Sequence, residues 1–134
     1  VNLQGATSTL SQLAILPAVE DDSFIAEYIK KYDRRRKYAY NLFNDCPVVS
    51  MLMPEAGFYV WIDVSELGDS TEITAYLAEE ALVSLNDGKF YGTQGKGHLR
   101  LIDGCFWKDE DSFAAMDRMA AAFRKLAAEK GITK

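Results

Sequence analysis

Few residues in this chain have chemistry to offer, and they gather in YGTQGKGHLRLIDG, residues 91–104. Arg100 stands there between Leu99 and Leu101, shortly after Gly92, Gly95 and Gly97. A guanidinium is a planar fork of donors with a permanent charge, suited to two-point recognition of a carboxylate. On a strand, Arg100 shares a face with residues 98 and 102 while the two leucines share the other. If the leucines pack on helices, Arg100 points to a solvated surface, where it forms an ion pair, or into a cleft. The glycines spell GxxGxG and precede a strand pattern. A dinucleotide phosphate cradle needs GxGxxG followed by a helix whose amides face the phosphates. They are expected instead to shape a flexible hairpin loop that uses positive φ angles.

Other reactive types are sparse. One histidine, His98, and two distant cysteines, Cys46 and Cys105, neither pair a nucleophile with a base nor match a metal-ligand spacing. The cysteines read as small buried hydrophobes in a reducing compartment. Asp63 and Glu66 follow a strand pattern and read as solvated strand-end acids, not a catalytic pair. Trp61 and Trp107 are expected as core or interface aromatics. No catalytic, metal-ligating or cofactor-binding set is expected within the chain.

The elements that must hold Arg100 follow from periodicity. Residues 1–20 turn apolar at Leu10, Leu13, Ala14 and Leu16, a short helix that Pro17 should kink or stop. Asp21, Asp22 and Ser23 offer caps for a long helix from Phe24 to about Asn44, striped by Ile25, Ile29, Tyr32, Ala39 and Phe43. Its basic run, Arg34 to Lys37, reads as a solvated face answering Asp21, Asp22, Glu27 and Asp33. The spacing predicts strands over 48–52 and 58–64, joined as a hairpin through PEAG. A helix over 71–81 capped by Ser70 or Thr71, a short buried strand over 82–85 and a turn at Asn86-Asp87-Gly88 come next. The strand His98–Ile102 and a closing helix follow. That helix is capped by Asp109, Asp111 or Ser112, striped by Phe113, Met116, Ala120, Phe123 and Ala127, and stopped by Gly131. This order predicts an α+β fold, a small mainly antiparallel sheet covered by helices on one side.

The totals bound the function. A chain of 134 residues with 49% hydrophobic content can bury one core. A net charge of −5 is the wrong sign for a phosphate-bound nucleic acid partner. No apolar run approaches the roughly 20 residues that span a bilayer, so no membrane partner is expected.

MPEAGFYVWIDVSEL (53–67), LNDGKFYGTQGKGHLRLIDGC (85–105) and the closing amphipathic helix resemble the C-terminal small domain of fold type I, class I and II, PLP-dependent aminotransferases. Pro54, Gly57 and Phe58 match the family's strand opening, Gly88, Tyr91 and Gly92 its glycine–aromatic–glycine loop, and Gly95, Gly97 and Arg100 its G-x-G-x-x-R segment. STLSQLAIL and YDRRRKY fit as well, so the resemblance spans nearly the whole chain. It implies that Arg100 binds the α-carboxylate of an α-amino acid or 2-oxo acid, and that Tyr59 lies near the substrate. It implies that residues 1–45 are a helical segment leading from a large domain that the chain lacks, and residues 46–134 the small domain. The Schiff-base lysine and the pyridoxal 5'-phosphate (PLP) grip belong to that absent part, since Lys30, Lys31 and Lys37 lie in the wrong place. The chain alone is therefore expected neither to hold PLP nor to turn over substrate, whereas the parent is expected to be a cytoplasmic homodimer. Leu85–Gly88 and the glycine-cysteine after Arg100 are similar to the cystathionine β-lyase-like branch, which leaves amino transfer and carbon–sulfur β-elimination both open. A stand-alone ligand-binding α+β domain without chemistry is the remaining alternative.

Overall fold

The computed structural model describes residues 8–132, which divide into two compact units, 8–30 and 31–132. In the first unit, α1 (Thr9–Glu20) starts at Ser8, whose Oγ accepts from the Ser11 amide. The helix passes through Pro17 and ends three residues later, so the expected stop does not occur. Every residue of α1 is exposed, so solvent can meet the Leu13 carbonyl that Pro17 leaves without a donor. Asp21 then accepts from the Ser23 amide, and α2 (Ile25–Asn44) begins.

In the second unit a four-stranded sheet has the order β1-β2-β4-β3, where β1 is Ser50–Met51, β2 Tyr59–Asp63, β3 Asn86–Asp87 and β4 His98–Ile102. All three pairings are antiparallel. Val60, Ile62, Leu99 and Leu101 form one face and are buried. They pack with Ala39 and Phe43 of α2, Ile73 and Leu77 of α3 (Ser70–Glu80), and Met116, Met119 and Phe123 of α4 (Asp109–Glu129). The α+β fold, with helices on one side of the sheet, is as the periodicity predicts.

Several boundaries differ for local reasons. The first hairpin pairs only Ser50 and Met51 with Asp63 and Ile62, so its loop extends from Leu52 to Phe58. Asp69, not Ser70 or Thr71, caps α3 by accepting from the Thr71 amide. Residues 82–85 are not a strand. Leu82 takes a left-handed φ of 54°, which lets the Val83 amide reach the Leu77 carbonyl and close α3, and so consumes the start of the expected strand. The strand lies instead at Asn86–Asp87, and the turn chemistry of Asp87 acts one step later. Its side chain accepts from the Lys89 amide to start a 3-10 turn over Gly88–Tyr91, followed by a second over Thr93–Gly95. None of the three expected caps serves α4: Lys108 occupies the cap position without a side-chain bond, and Asp109 is drawn to arginines. The far end of α4 follows expectation. Gly131 has a φ of 68°, and amides of Gly131 and Ile132 return to the carbonyls of Ala128 and Ala127.

The largest correction concerns the basic run. Arg35 is fully buried: its Nε meets Asp109 Oδ1 at 2.8 Å, and its two Nη atoms meet the Asp103 and Phe106 carbonyls at 2.6 and 3.0 Å. Arg35 thus ties α2 to the segment that leads from β4 to α4. Arg36 and Lys37 do pair with Asp33, as a solvated face would. Arg35, Ala39 and Phe43 follow one another at four-residue steps, so the helical period itself puts Arg35 in the apolar stripe.

Candidate functional site

The face of the sheet opposite the helices carries Tyr59, Trp61 and Asp63 from β2, His98 and Arg100 from β4, and Asn86 from β3. Strand alternation puts them there, since their neighbours Val60, Ile62, Leu99 and Leu101 are taken by the core. The register sets Arg100 between Trp61 on one side and Asn86 on the other.

Arg100 is clamped. Its Cζ lies 4.4 Å from the centroid of the Tyr59 ring and 4.1 Å from that of Tyr91. Tyr91 in turn meets Trp61 edge-on at 6.0 Å and receives a hydrogen bond from Asn86 Nδ2 to its hydroxyl oxygen at 2.7 Å. The arginine Nε is buried and meets no acceptor, and among the described residues no acid pairs with the guanidinium. The surface ion pair that the sequence left open is therefore absent, and a charged fork remains with its donors uncommitted.

The glycine loop bears Tyr91, and it is built, not slack. Gly88 and Gly95 meet backbone to backbone so closely that a methyl on either would collide with the other. Gly92 and Gly97 take positive φ of 108° and 79°, as expected. Buried Asp87 accepts from the Ser70 and Thr71 hydroxyls at 2.8 and 2.6 Å. Lys89 Nζ bonds Asp69 at 2.7 Å, and this, with the Thr71 amide, holds the Asp69 pKa down at about 2. Within the loop, the Lys89 amide donates to the Asp87 carboxylate and the Gly95 amide to the Gly92 carbonyl.

The remaining candidates fall into place around this clamp. His98 stacks on Trp61 at 5.4 Å and lies 3.8 Å from Asp63. Burial raises the Asp63 pKa, but the Ser65 hydroxyl and amide and the His98 charge outweigh it, so Asp63 stays a carboxylate below its usual range. Among the described residues no hydrogen bond joins Glu66 to it. Neither tryptophan is core: Trp61 lines the open face and Trp107 is 81% exposed. Cys46 is buried as expected, whereas Cys105 is exposed because it follows the strand end. A cleft of about 490 Å³ opens on this face between Met53, Tyr59, Trp61 and His98. Sequence reasoning missed Tyr91 and Asn86 as partners of Arg100. The signal for Tyr91 was present as the aromatic of the glycine loop, but Asn86 was hidden in an apparent turn.

Among the described lysines, Lys89 and Lys125 are ion-paired with Asp69 and Glu80, which raises their pKa values, and Lys130 donates to the Leu67 carbonyl. No group of three or more metal-ligating side chains forms among the described residues. None of their helices is long and apolar enough to cross a membrane.

Fold and site together define an α+β domain that presents one stacked arginine on the open face of its sheet. The chain belongs to the family described as aminotransferase class I and II, whose model matches residues 1–105. A curated aspartate aminotransferase of Streptomyces avermitilis is 36% identical over 133 residues, covering 88% of this chain and 32% of the relative. One from Pyrococcus abyssi is 28% identical over 87% of the chain and 30% of its own length. Among solved structures, an aromatic aminotransferase from Pyrococcus horikoshii superposes with a TM-score of 0.73 at 25% identity, over 87% of this chain and 31% of that one. The chain thus spans about 30% of the length of the curated relatives it matches.

Proposed function

We propose that this chain is the substrate-carboxylate portion of a PLP-dependent aminotransferase acting on an α-amino acid and a 2-oxo acid. Arg100 takes the α-carboxylate, with Tyr59 beside the substrate. Residues 46–134 serve as the small domain, and residues 1–45 connect it to a large domain that supplies the lysine and the PLP site. The parent works in the cytoplasm as a homodimer. The observation that carries this reading is the uncommitted guanidinium of Arg100, stacked against two tyrosine rings and paired with no acid among the described residues. When bound in the parent, PLP supplies the electron sink for amino transfer. The chain's own part is to bind and orient the carboxylate with a preset fork.

Arg100→Lys in the full-length enzyme tests this. A lysine cannot reproduce the fork, so the amino-acid KM should rise at least about tenfold while PLP absorbance is unchanged. An unchanged KM would refute the role. A second reading, carbon–sulfur β-elimination, is favoured by one relative: a cystathionine β-lyase of Bacillus subtilis is 35% identical over 65 residues. Pyruvate release from cystathionine by the full-length enzyme would select it.

A further inference from the structure

The clamp around Arg100 involves residues that carboxylate binding alone does not require. A guanidinium has two faces and a donor edge, and here Tyr59 and Tyr91 cover the faces while Nε is buried. Only the Nη edge is left for a ligand. The orientation of that edge depends on Tyr91, because Tyr59 lies on β2, fixed by the register opposite Ile102, whereas Tyr91 belongs to a loop. Asn86 fixes the loop residue: it pairs with Arg100 in the sheet and donates to the Tyr91 hydroxyl at 2.7 Å. Asn86 therefore touches both the strand that carries the arginine and the ring that covers it.

From this geometry we infer that Asn86 and Tyr91 are positioning residues for Arg100, setting the plane of its guanidinium so that a carboxylate is received end-on by the two Nη atoms. The inference rests on the carboxylate reading of Arg100 and adds to it which residues orient the fork. Tyr91 contributes in two separable ways. Its ring holds one face of the cation, and its hydroxyl ties the ring to Asn86. Removing the ring should release the guanidinium, and removing only the hydroxyl should loosen it.

Two measurements test the inference. In the chain itself, the side-chain protons of Arg100 should show upfield NMR shifts from the two rings. Tyr91→Leu should remove about half of that shift, and Tyr91→Phe and Asn86→Ala should each reduce it in part. In the full-length enzyme, Tyr91→Leu should raise the amino-acid KM roughly tenfold with kcat changed less than about twofold, and Tyr91→Phe should restore most of the loss. Random-coil shifts for Arg100, or shifts untouched by Tyr91→Leu, would overturn the positioning role whatever Arg100 binds. If Arg100→Lys raises KM but Tyr91→Leu and Asn86→Ala do not, the inference fails and the carboxylate reading survives. If Arg100→Lys leaves KM unchanged, the carboxylate reading falls and this inference with it, even where the NMR shifts show the stacking.

Discussion

Asp103 holds a charge where the fold gives it no donors. Both carboxylate oxygens are buried without a partner, and the residue is 1% exposed at the edge of a cavity of about 260 Å³ that Ser112 also lines. Burial pushes its pKa up to about 6, against the pull of the Arg35 and Arg36 charges. Arg35, the first of the two charges that oppose this rise, spends a donor on the Asp103 backbone carbonyl instead. Because the folded pKa exceeds the unfolded one, the folded state binds this proton more tightly. Stability is therefore greatest below about pH 4 on account of this group and declines as pH rises toward about 6, by up to roughly 3 kcal/mol. Asp103→Asn should be more stable than the parent chain at pH 7–8, and the two should converge near pH 4. Urea titrations across that range decide it: equal midpoints at pH 7.5 would show that the carboxylate is not strained. From the sequence, Asp103 is one more acid after a strand. Its burial comes from strand parity and from α4 packing beneath it, and neither is visible before the sheet has a covered side.

At the scale of elements, the Gly88–Gly97 segment departs in part from what its sequence suggests. Its glycines were expected to supply flexibility, yet two of them serve as contact surfaces, because Gly88 and Gly95 bring two 3-10 turns together. A methyl at Gly95 would strike the Gly88 backbone, which cannot rotate away as a side chain would. Gly95→Ala should lower stability by about 1–3 kcal/mol, seen as a lower urea midpoint with an unchanged slope. An unaltered midpoint would mean that the turns are not in contact. The long helices and the β2–β4 pair were legible because ten or more residues, or a clean alternation, repeated one signal. Two-residue strands such as β1 and β3 repeat nothing, so their places are set by partners far along the chain. Asn86 and Asp87 look like a turn until β4 is there to pair with them.

For the molecule as a whole, the family resemblance carried further than any single element, since the ordered motifs predicted both the fold and the open-face arginine. It did not predict what surrounds that arginine, because ring stacking and the Asn86 bond arise from packing between β2, β3, β4 and the loop. The share of chemistry on this chain can also be measured. The Schiff-base lysine is proposed to lie in the large domain, so PLP added to the 134-residue chain should give no stable Schiff-base absorption band. A stable band would show that a lysine here can take the cofactor's aldehyde.

The shortest strand has a consequence out of proportion to its size. Asn86 faces up to Tyr91 while Asp87 faces down, beneath the sheet, to the Ser70 and Thr71 hydroxyls. Two adjacent side chains thus serve opposite sides of the same sheet, and only the count of residues before them decides which serves which. Adding or removing one residue between Leu82 and Leu85 would exchange their assignments, turning the amide toward the helix caps and the acid toward Arg100. The length of this segment therefore decides which side of the sheet each of the two side chains serves.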